Sequence, residues 1–544
     1  MTSAEQPRDQ TPEDEQRAVV AFLACAENWP DAPARVERHD THGARVFLAG
    51  DRALKIKRAV AYDYMDFSTL EKRRAALEKE LAINQPHAPQ IYRGLVAITR
   101  DADGRLAIGG SGEAIEWALA MSRFDQADLL GAIAARGAFD DDLARLTAKA
   151  IATYHDDAAA VTAPDGAARI AATIDHLAAS GLPDHQPAQQ SGQPQGQQPR
   201  PRLFPAAEVA AWADAARDRL AGVRALLDAR ARGGAVRRAH GDLHLANIVV
   251  LDGEPVLFDA IEFDDDIRTV DRMYDLAFLL MDLDFRGQTA AANTVLQHYL
   301  AAPPLNDDDI DALRALPLFL SLRAAIRAMT ARQRAAASPP GSSRDAAQAE
   351  ARAYFDRARA YLAPPPPRLI AIGGLSGTGK STLARALAPE IAPVPGAIVV
   401  RTDVERKRLF GAAETDRLLP ASYTPGASAR VYAATLAKAA RILDAGHSAI
   451  LDAVFADERE RDAAAGVAHT AGASFTGLWL EAPPAVLHAR VSARTGDASD
   501  ATAAVVEAQL VSGATAGTWI PVPAADRPAE TLARARHALA ATAP

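Results

Sequence analysis

Apolar residues recur along this chain in two periods, every second position in short runs and every third or fourth position in longer ones. Residues 45–57 alternate on both sides of a Gly50-Asp51 pair, which predicts a hairpin with Lys55 emerging from its second strand and Lys57 on the same face. Residues 70–84 predict a helix that offers Glu78 or Glu80, and 115–124 predict a strand. Residues 239–263 read as a loop, a strand pair and another loop. Further on, 369–372, 397–400 and 447–452 are short continuous apolar runs, the pattern of buried strands. Residues 344–362, 382–387 and 487–494 have helical spacing, with Arg490 and Arg494 four apart on one face.

Breaks in these patterns divide the chain. The Gln/Pro/Gly stretch 183–201 has no large apolar residue to offset the entropy of ordering, and is expected to be a disordered surface insertion. Residues 337–343 are a flexible point, and four prolines at 364–367 form a stiff spacer. The expected organisation is an N-terminal segment (1–34), a first catalytic domain (35–335), a helical and Pro-rich linker (336–367) and a second catalytic domain (368–544). No internal repeat is evident.

Composition narrows the class. At 544 residues with 49% hydrophobic content, the chain suits about three or four compact units of roughly 150 residues. One cysteine, Cys25, forms no internal disulfide, and the polar, acidic start lacks the character of a signal peptide, so a reducing cytoplasm is expected. No apolar run approaches the length of about 20 residues that a membrane span needs. A net charge of −9 argues against non-specific nucleic-acid binding, and residues 368–544 hold 18 Lys and Arg against 17 Asp and Glu, so no funnel for a polyanion exists there.

The chemistry sits in two places. Gly374-Leu375-Ser376-Gly377-Thr378-Gly379-Lys380-Ser381 fits G-x-x-x-x-G-K-[ST] between an apolar strand and the helix that opens at Thr382. Its glycines let backbone N–H groups of Ser376, Gly377, Thr378 and their neighbours face a polyphosphate, Lys380 reaches the terminal phosphates, and the Ser381 hydroxyl can hold Mg²⁺. After the next strand, Asp403 is placed to take an acceptor hydroxyl proton and Arg406 to position the acceptor. Asp452 ends a strand as a second candidate Mg²⁺ ligand, and Arg490 with Arg494 is expected to close over the transferring phosphate. Far upstream, His240-Gly241-Asp242-Leu243-His244-Leu245-Ala246-Asn247, followed by Asp259, has the spacing of a kinase catalytic loop with its later metal-binding Asp. His240 is expected to brace that loop, and Asp275 to hold its backbone. Two ATP sites on two folds are therefore expected.

Residues 35–330 resemble the aminoglycoside phosphotransferase family, a branch of the protein-kinase-like fold, through His240-Gly241-Asp242, Asn247 and Asp259. Residues 368–544 resemble small P-loop kinases such as gluconate kinase, chloramphenicol phosphotransferase and the kinase domain of 5′-hydroxyl polynucleotide kinase. The whole resembles bacterial two-domain proteins that join the two. The resemblance implies an α+β protein-kinase-like bilobal domain followed by an α/β P-loop kinase domain with a parallel sheet. It also implies Asp242 as base, Asn247 and Asp259 as metal ligands, Lys55 as phosphate lysine with Glu80 as its partner, and ATP and Mg²⁺ as cofactors. Two features depart from the protein-kinase pattern: no G-x-G-x-x-G covers the phosphates, and Asp259-Ala260-Ile261 stands where Asp-Phe-Gly would. The expected activity is transfer of a γ-phosphoryl group to small-molecule hydroxyls at both sites. A polynucleotide 5′-hydroxyl acceptor in the second half, and a regulatory role for one unit, are the alternatives.

Overall fold

The computed structural model describes residues 12–41, 43–62, 65–162, 165–182, 203–302, 307–493 and 498–542. The expected insertion at 183–201 lies outside them. The chain forms two compact units, one of Met1–Thr162 with Gly233–Leu279 and one of Ala163–Arg232 with Leu280–Pro544.

The first unit is built on an antiparallel sheet of β1 (Val36–Asp40), β2 (Ala44–Ala49), β3 (Arg52–Lys57), β4 (Tyr92–Arg100), β5 (Leu106–Ile108) and β6 (Glu113–Ser122), in the order β1-β2-β3-β6-β4-β5. Gly50, at φ +58°, makes the tight turn of the β2–β3 hairpin, whose register pairs Ala49 with Arg52. Alternation then sorts the faces of β3. Leu54 and Ile56 pack with Phe47, Ile98 and Ala118, and with Val19 and Leu23 of helix α1 (Pro12–Ala24). Lys55 and Lys57 face the other way. There helix α2 (Leu70–Asn84), capped by the Thr69 hydroxyl on Lys72 N–H, buries Leu77, Glu80 and Asn84 at helical spacing. The unit also contains helix α3 (Asp141–Asp157) and, among its small antiparallel pairs, β8 (Ile248–Leu251) with β9 (Glu254–Leu257) and β7 (Val236–Arg238) with β10 (Thr269–Asp271).

The second unit combines helices with a parallel sheet. Helices α4 (Gly166–His176), α5 (Ala206–Arg232), α6 (Thr289–Ala301), α7 (Leu316–Ala337) and α8 (Ser342–Tyr361) precede the sheet strands in the chain. Trp212 Nε1 donates to Ser321 Oγ (3.0 Å), which donates to the Ala358 carbonyl (2.7 Å), so one hydrogen-bonded chain ties α5, α7 and α8. Residues 335 and 367 both lie within this unit, and α8 buries Ala351, Phe355 and Ala358.

The sheet comprises β11 (Arg368–Gly374), β12 (Ile398–Arg401), β13 (Ala449–Asp452), β14 (Ser474–Glu481) and β15 (Ile520–Pro523) in the order β12-β13-β11-β14-β15, with all pairs parallel. Ile370, Ile372, Ile450, Leu478 and Leu480 pack with Leu383 and Leu387 of α9 (Lys380–Leu387), which explains the continuous apolar runs. Strand order reverses direction at β11, and a crevice beyond the carboxyl ends at such a point is where open α/β sheets bind ligands. Among the described residues no helix is long and apolar enough to cross a membrane.

Candidate active sites

In the first unit, pairing and packing bring Lys55, Glu80 and Asp259 together from three separate segments. Lys55 Nζ lies 2.7 Å from Glu80 Oε1 and 2.7 Å from Asp259 Oδ1. The other oxygen of Glu80 accepts from Lys57 Nζ at 2.6 Å, and Lys57 reaches on to Glu262. Of the two helix glutamates open from the sequence, Glu78 instead pairs with Arg74 on the exposed face. Burial alone would push the Lys55 ammonium down, but the charges of Asp259, Glu80 and Glu262 outweigh it and hold it well above its ordinary value. Burial likewise opposes ionisation of Glu80, and the two ammonium groups overcome it, so Glu80 stays a carboxylate well below its usual range.

The loop that carries Asp259 is held from outside the motif. Asp259 adopts φ +60°, a left-handed conformation that costs a non-glycine residue about 1–3 kcal/mol. Its N–H donates to the Tyr92 hydroxyl (3.0 Å), and the Ala260 N–H donates to Asn84 Oδ1 (2.8 Å). Burial, followed by the charges of Asp259 and Glu80, raises the Tyr92 phenol, so it remains neutral. Tyr92, Asn84 and Glu262 were not singled out from the sequence. The only local signal was that Glu80 and Asn84 lie four apart on one helix face.

The catalytic loop rests on Asp275. Its carboxylate accepts from the N–H groups of His240 (3.1 Å) and Gly241 (2.9 Å), and His155 Nε2 lies 3.1 Å from it. His240 is buried and its Nε2 donates to the Phe258 carbonyl (2.9 Å), so it braces the loop against the strand before Asp259. Asn247 Nδ2 donates to the Asp242 carbonyl (2.9 Å) and to Asp242 Oδ2 (3.1 Å), an orientation that turns Oδ1 away from both. His244 Nε2 stands 3.4 Å from Asp242 Oδ2. Asn247 and Asp259 offer oxygen donors, the ligands a hard cation such as Mg²⁺ takes.

In the second unit, the loop between β11 and α9 carries the phosphate-binding sequence. Gly377 has φ +88°, and a Cβ there would stand 2.8 Å from the Leu487 carbonyl oxygen, so only glycine fits. Lys380 Nζ donates to the carbonyls of Gly374 (2.8 Å) and Leu375 (3.0 Å). Ser381 Oγ donates to Asp452 Oδ2 at 2.5 Å, so the two candidate metal ligands meet. Arg401 Nε, 3.2 Å from the same oxygen, was not assigned a role from the sequence. Burial and then the charge of Asp452 raise the Asp403 carboxyl, while Ser499, Arg401 and Lys380 draw it down; Asp403 therefore shares the surroundings of the loop lysine. Thr378 is buried, with its hydroxyl on the Leu375 carbonyl, and Thr382 lies one turn into α9.

Two expectations for arginine turn out differently. Arg406, on α10 (Thr402–Leu409), donates to the Ser422 carbonyl (2.7 Å) and stacks 4.8 Å over the Tyr423 ring, so it secures that segment. Arg490, on α11 (Pro484–Ser492), donates to the carbonyls of Ala524 (2.7 Å), Ala525 and Asp526 (both 3.1 Å). These carbonyls follow the last strand and need donors, and they take up the Arg490 guanidinium. Arg494 lies outside the described residues. No motif pointed to Gln509, on α12 (Ala503–Val511), whose Oε1 accepts the Ser376 N–H at 2.8 Å.

Family models match both parts of the chain. The model of the phosphotransferase enzyme family matches residues 118–316, and that of an AAA domain matches 369–512. The uncharacterized protein Rv2004c of Mycobacterium tuberculosis is 30% identical over 480 residues, covering 87% of this chain and 89% of that protein. The uncharacterized protein Mb2027c of Mycobacterium bovis gives the same figures. Among solved structures, an ethanolamine kinase of Plasmodium vivax is 11% identical and covers 65% of this chain and 95% of its own, with a TM-score of 0.37. A gluconokinase of Sinorhizobium meliloti 1021 is 21% identical, with coverages of 32% and 93% and a TM-score of 0.24.

Proposed function

The chain belongs to one family with these mycobacterial proteins; in it a phosphotransferase-family segment precedes a P-loop kinase segment, and on that premise we propose a bifunctional ATP-dependent phosphotransferase acting on small-molecule hydroxyls. The observation that carries the reading is that each half assembles its own set of residues for phosphoryl transfer. One set is Lys55, Glu80, Asp242, Asn247 and Asp259, and the other is Lys380, Ser381, Asp403 and Asp452. The domain limits of 35–335 and 368–544 describe these catalytic halves.

At the first site, Asp242 accepts the acceptor's hydroxyl proton as the new O–P bond forms and the bond to the β–γ bridging oxygen breaks, with ADP leaving. Lys55 neutralises phosphate charge, and Glu80 keeps it aimed. At the second, Asp403 takes the proton, backbone N–H groups of the loop cradle the phosphates, and Lys380 stands at their terminal end. Asn247 with Asp259, and Ser381 with Asp452, would hold Mg²⁺; each set offers only oxygen donors, as Mg²⁺ requires. Bound there, the metal offsets charge on the transferring group.

The test is ATP consumption by the full chain fed a fractionated bacterial metabolite extract, with Asp242→Asn and Lys380→Ala compared with wild type. Fractions whose stimulation is lost in one variant only assign an acceptor to each site. No stimulation by any fraction, or stimulation indifferent to both substitutions, refutes the reading.

A further inference from the structure

Beside the phosphate loop, α12 and the segment after β13 line an open cleft of about 490 Å³. Val454, Ala456, Val505 and Ala508 make its wall predominantly apolar, and Gln509 supplies its amide. Two bonds fasten the cleft to the loop: the Gly374 N–H donates to the Val454 carbonyl (3.1 Å), and the Ser376 N–H donates to Gln509 Oε1 (2.8 Å). A backbone N–H requires an oxygen opposite it, so Ser376 fixes which way the carboxamide points. The Gln509 Nε2 donors have no hydrogen-bond partner among the described residues.

We propose that this cleft is the acceptor pocket of the second site, and that Gln509 donates from Nε2 to an oxygen of the acceptor while its Oε1 stays on the loop. The inference rests on the phosphotransferase reading of that site and names its substrate class: a hydroxyl compound with an apolar body beside a hydrogen-bond-accepting oxygen. A highly charged acceptor finds no charged side chain on this wall to replace the water it displaces. An apolar body gains by burial, and the single oriented amide sets the position of the reacting hydroxyl.

Glu and Leu at position 509 separate this from a merely structural role. A glutamate still accepts the Ser376 N–H but has no N–H to give. In Gln509→Glu, the Lys380-dependent ATP consumption should need at least tenfold more of the stimulating extract fraction for half-maximal rate, with the KM for ATP within about threefold of wild type. Ala508→Phe, which fills the cleft without touching the loop bond, should raise the same requirement. If Gln509→Glu behaves as wild type while Gln509→Leu loses ATP affinity, Gln509 only supports the loop and the proposal falls. If Ala508→Phe leaves the requirement unchanged, the acceptor binds elsewhere. Absence of any Lys380-dependent stimulation in the wild type removes the underlying reading as well, an outcome distinct from either of these.

Discussion

Replacing Glu80 by glutamine should loosen α2 far more than its small change in shape suggests. The wild-type carboxylate has no exposed surface and places one oxygen on each of two lysines, themselves 13% and 4% exposed. An amide keeps one acceptor, now neutral, and turns an N–H₂ toward the other ammonium. One charge-assisted bond, worth about 1.5–3 kcal/mol, is lost and the second weakens by about 1 kcal/mol. The sum, about 3 kcal/mol, lies at the edge of the 3–5 kcal/mol expected for breaking a buried ion pair. Converted at about 1.4 kcal/mol per decade, it makes amide hydrogen exchange over 77–84 about 150-fold faster by local opening. Exchange mass spectrometry reads this directly, with the exposed Glu78→Gln as control. Acceleration below about fivefold, or equal acceleration in the control, would refute the argument that the shared carboxylate fixes the helix. The sign with pH follows: the Glu80 carboxyl is depressed in the fold, so its contribution is complete above the ordinary glutamate value of 4.5 and declines as pH falls below it. That decline should be missing in Glu80→Gln.

Other outcomes follow from the second unit. Asp452→Asn leaves Ser381 and Arg401 without their shared carboxylate and should lower Lys380-dependent ATP consumption at least 100-fold, measured by steady-state turnover. Gly377→Ala, forced into φ +88° and against the Leu487 carbonyl, should destabilise the loop by about 2–4 kcal/mol and abolish tight ATP binding, read by calorimetry. Burial lowers the His447 pKa to about 4, so the unfolded chain takes up a proton below the ordinary value of 6.5 while the native state does not. Stability of this unit should therefore fall by about 3 kcal/mol between pH 6.5 and 4, and His447→Gln should flatten that part of a urea-midpoint profile.

What could be read in advance was local. The hairpin bearing Lys55, the loop from Gly374 to Ser381 and the strand ending at Asp452 each announce themselves within a dozen residues, because turn chemistry and alternation act over that range. The supports of those groups are not local. Tyr92 meets Asp259 across 167 positions, Lys57 meets Glu262 across 205, and Gln509 meets Ser376 across 133. No spacing rule connects such pairs; only the assembled sheet and helices do. Arg490 shows the opposite failure. It lies on a helix as expected, but the carbonyls of 524–526, invisible as a motif, claim its guanidinium.

The interleaving of the chain bears on how the protein can emerge from a ribosome. Helices α4 and α5 are synthesised before the last part of the first unit, yet belong with a sheet whose strands begin at Arg368. Within that sheet, the central strand awaits partners some 80 and 106 positions downstream. At about 5–20 residues per second, the strand beneath the nascent phosphate loop waits roughly 5–20 s before both of its neighbours have been made. During that interval its apolar strand is a natural client for chaperones, and slow codons placed just beyond β14 would give the sheet time to close before release.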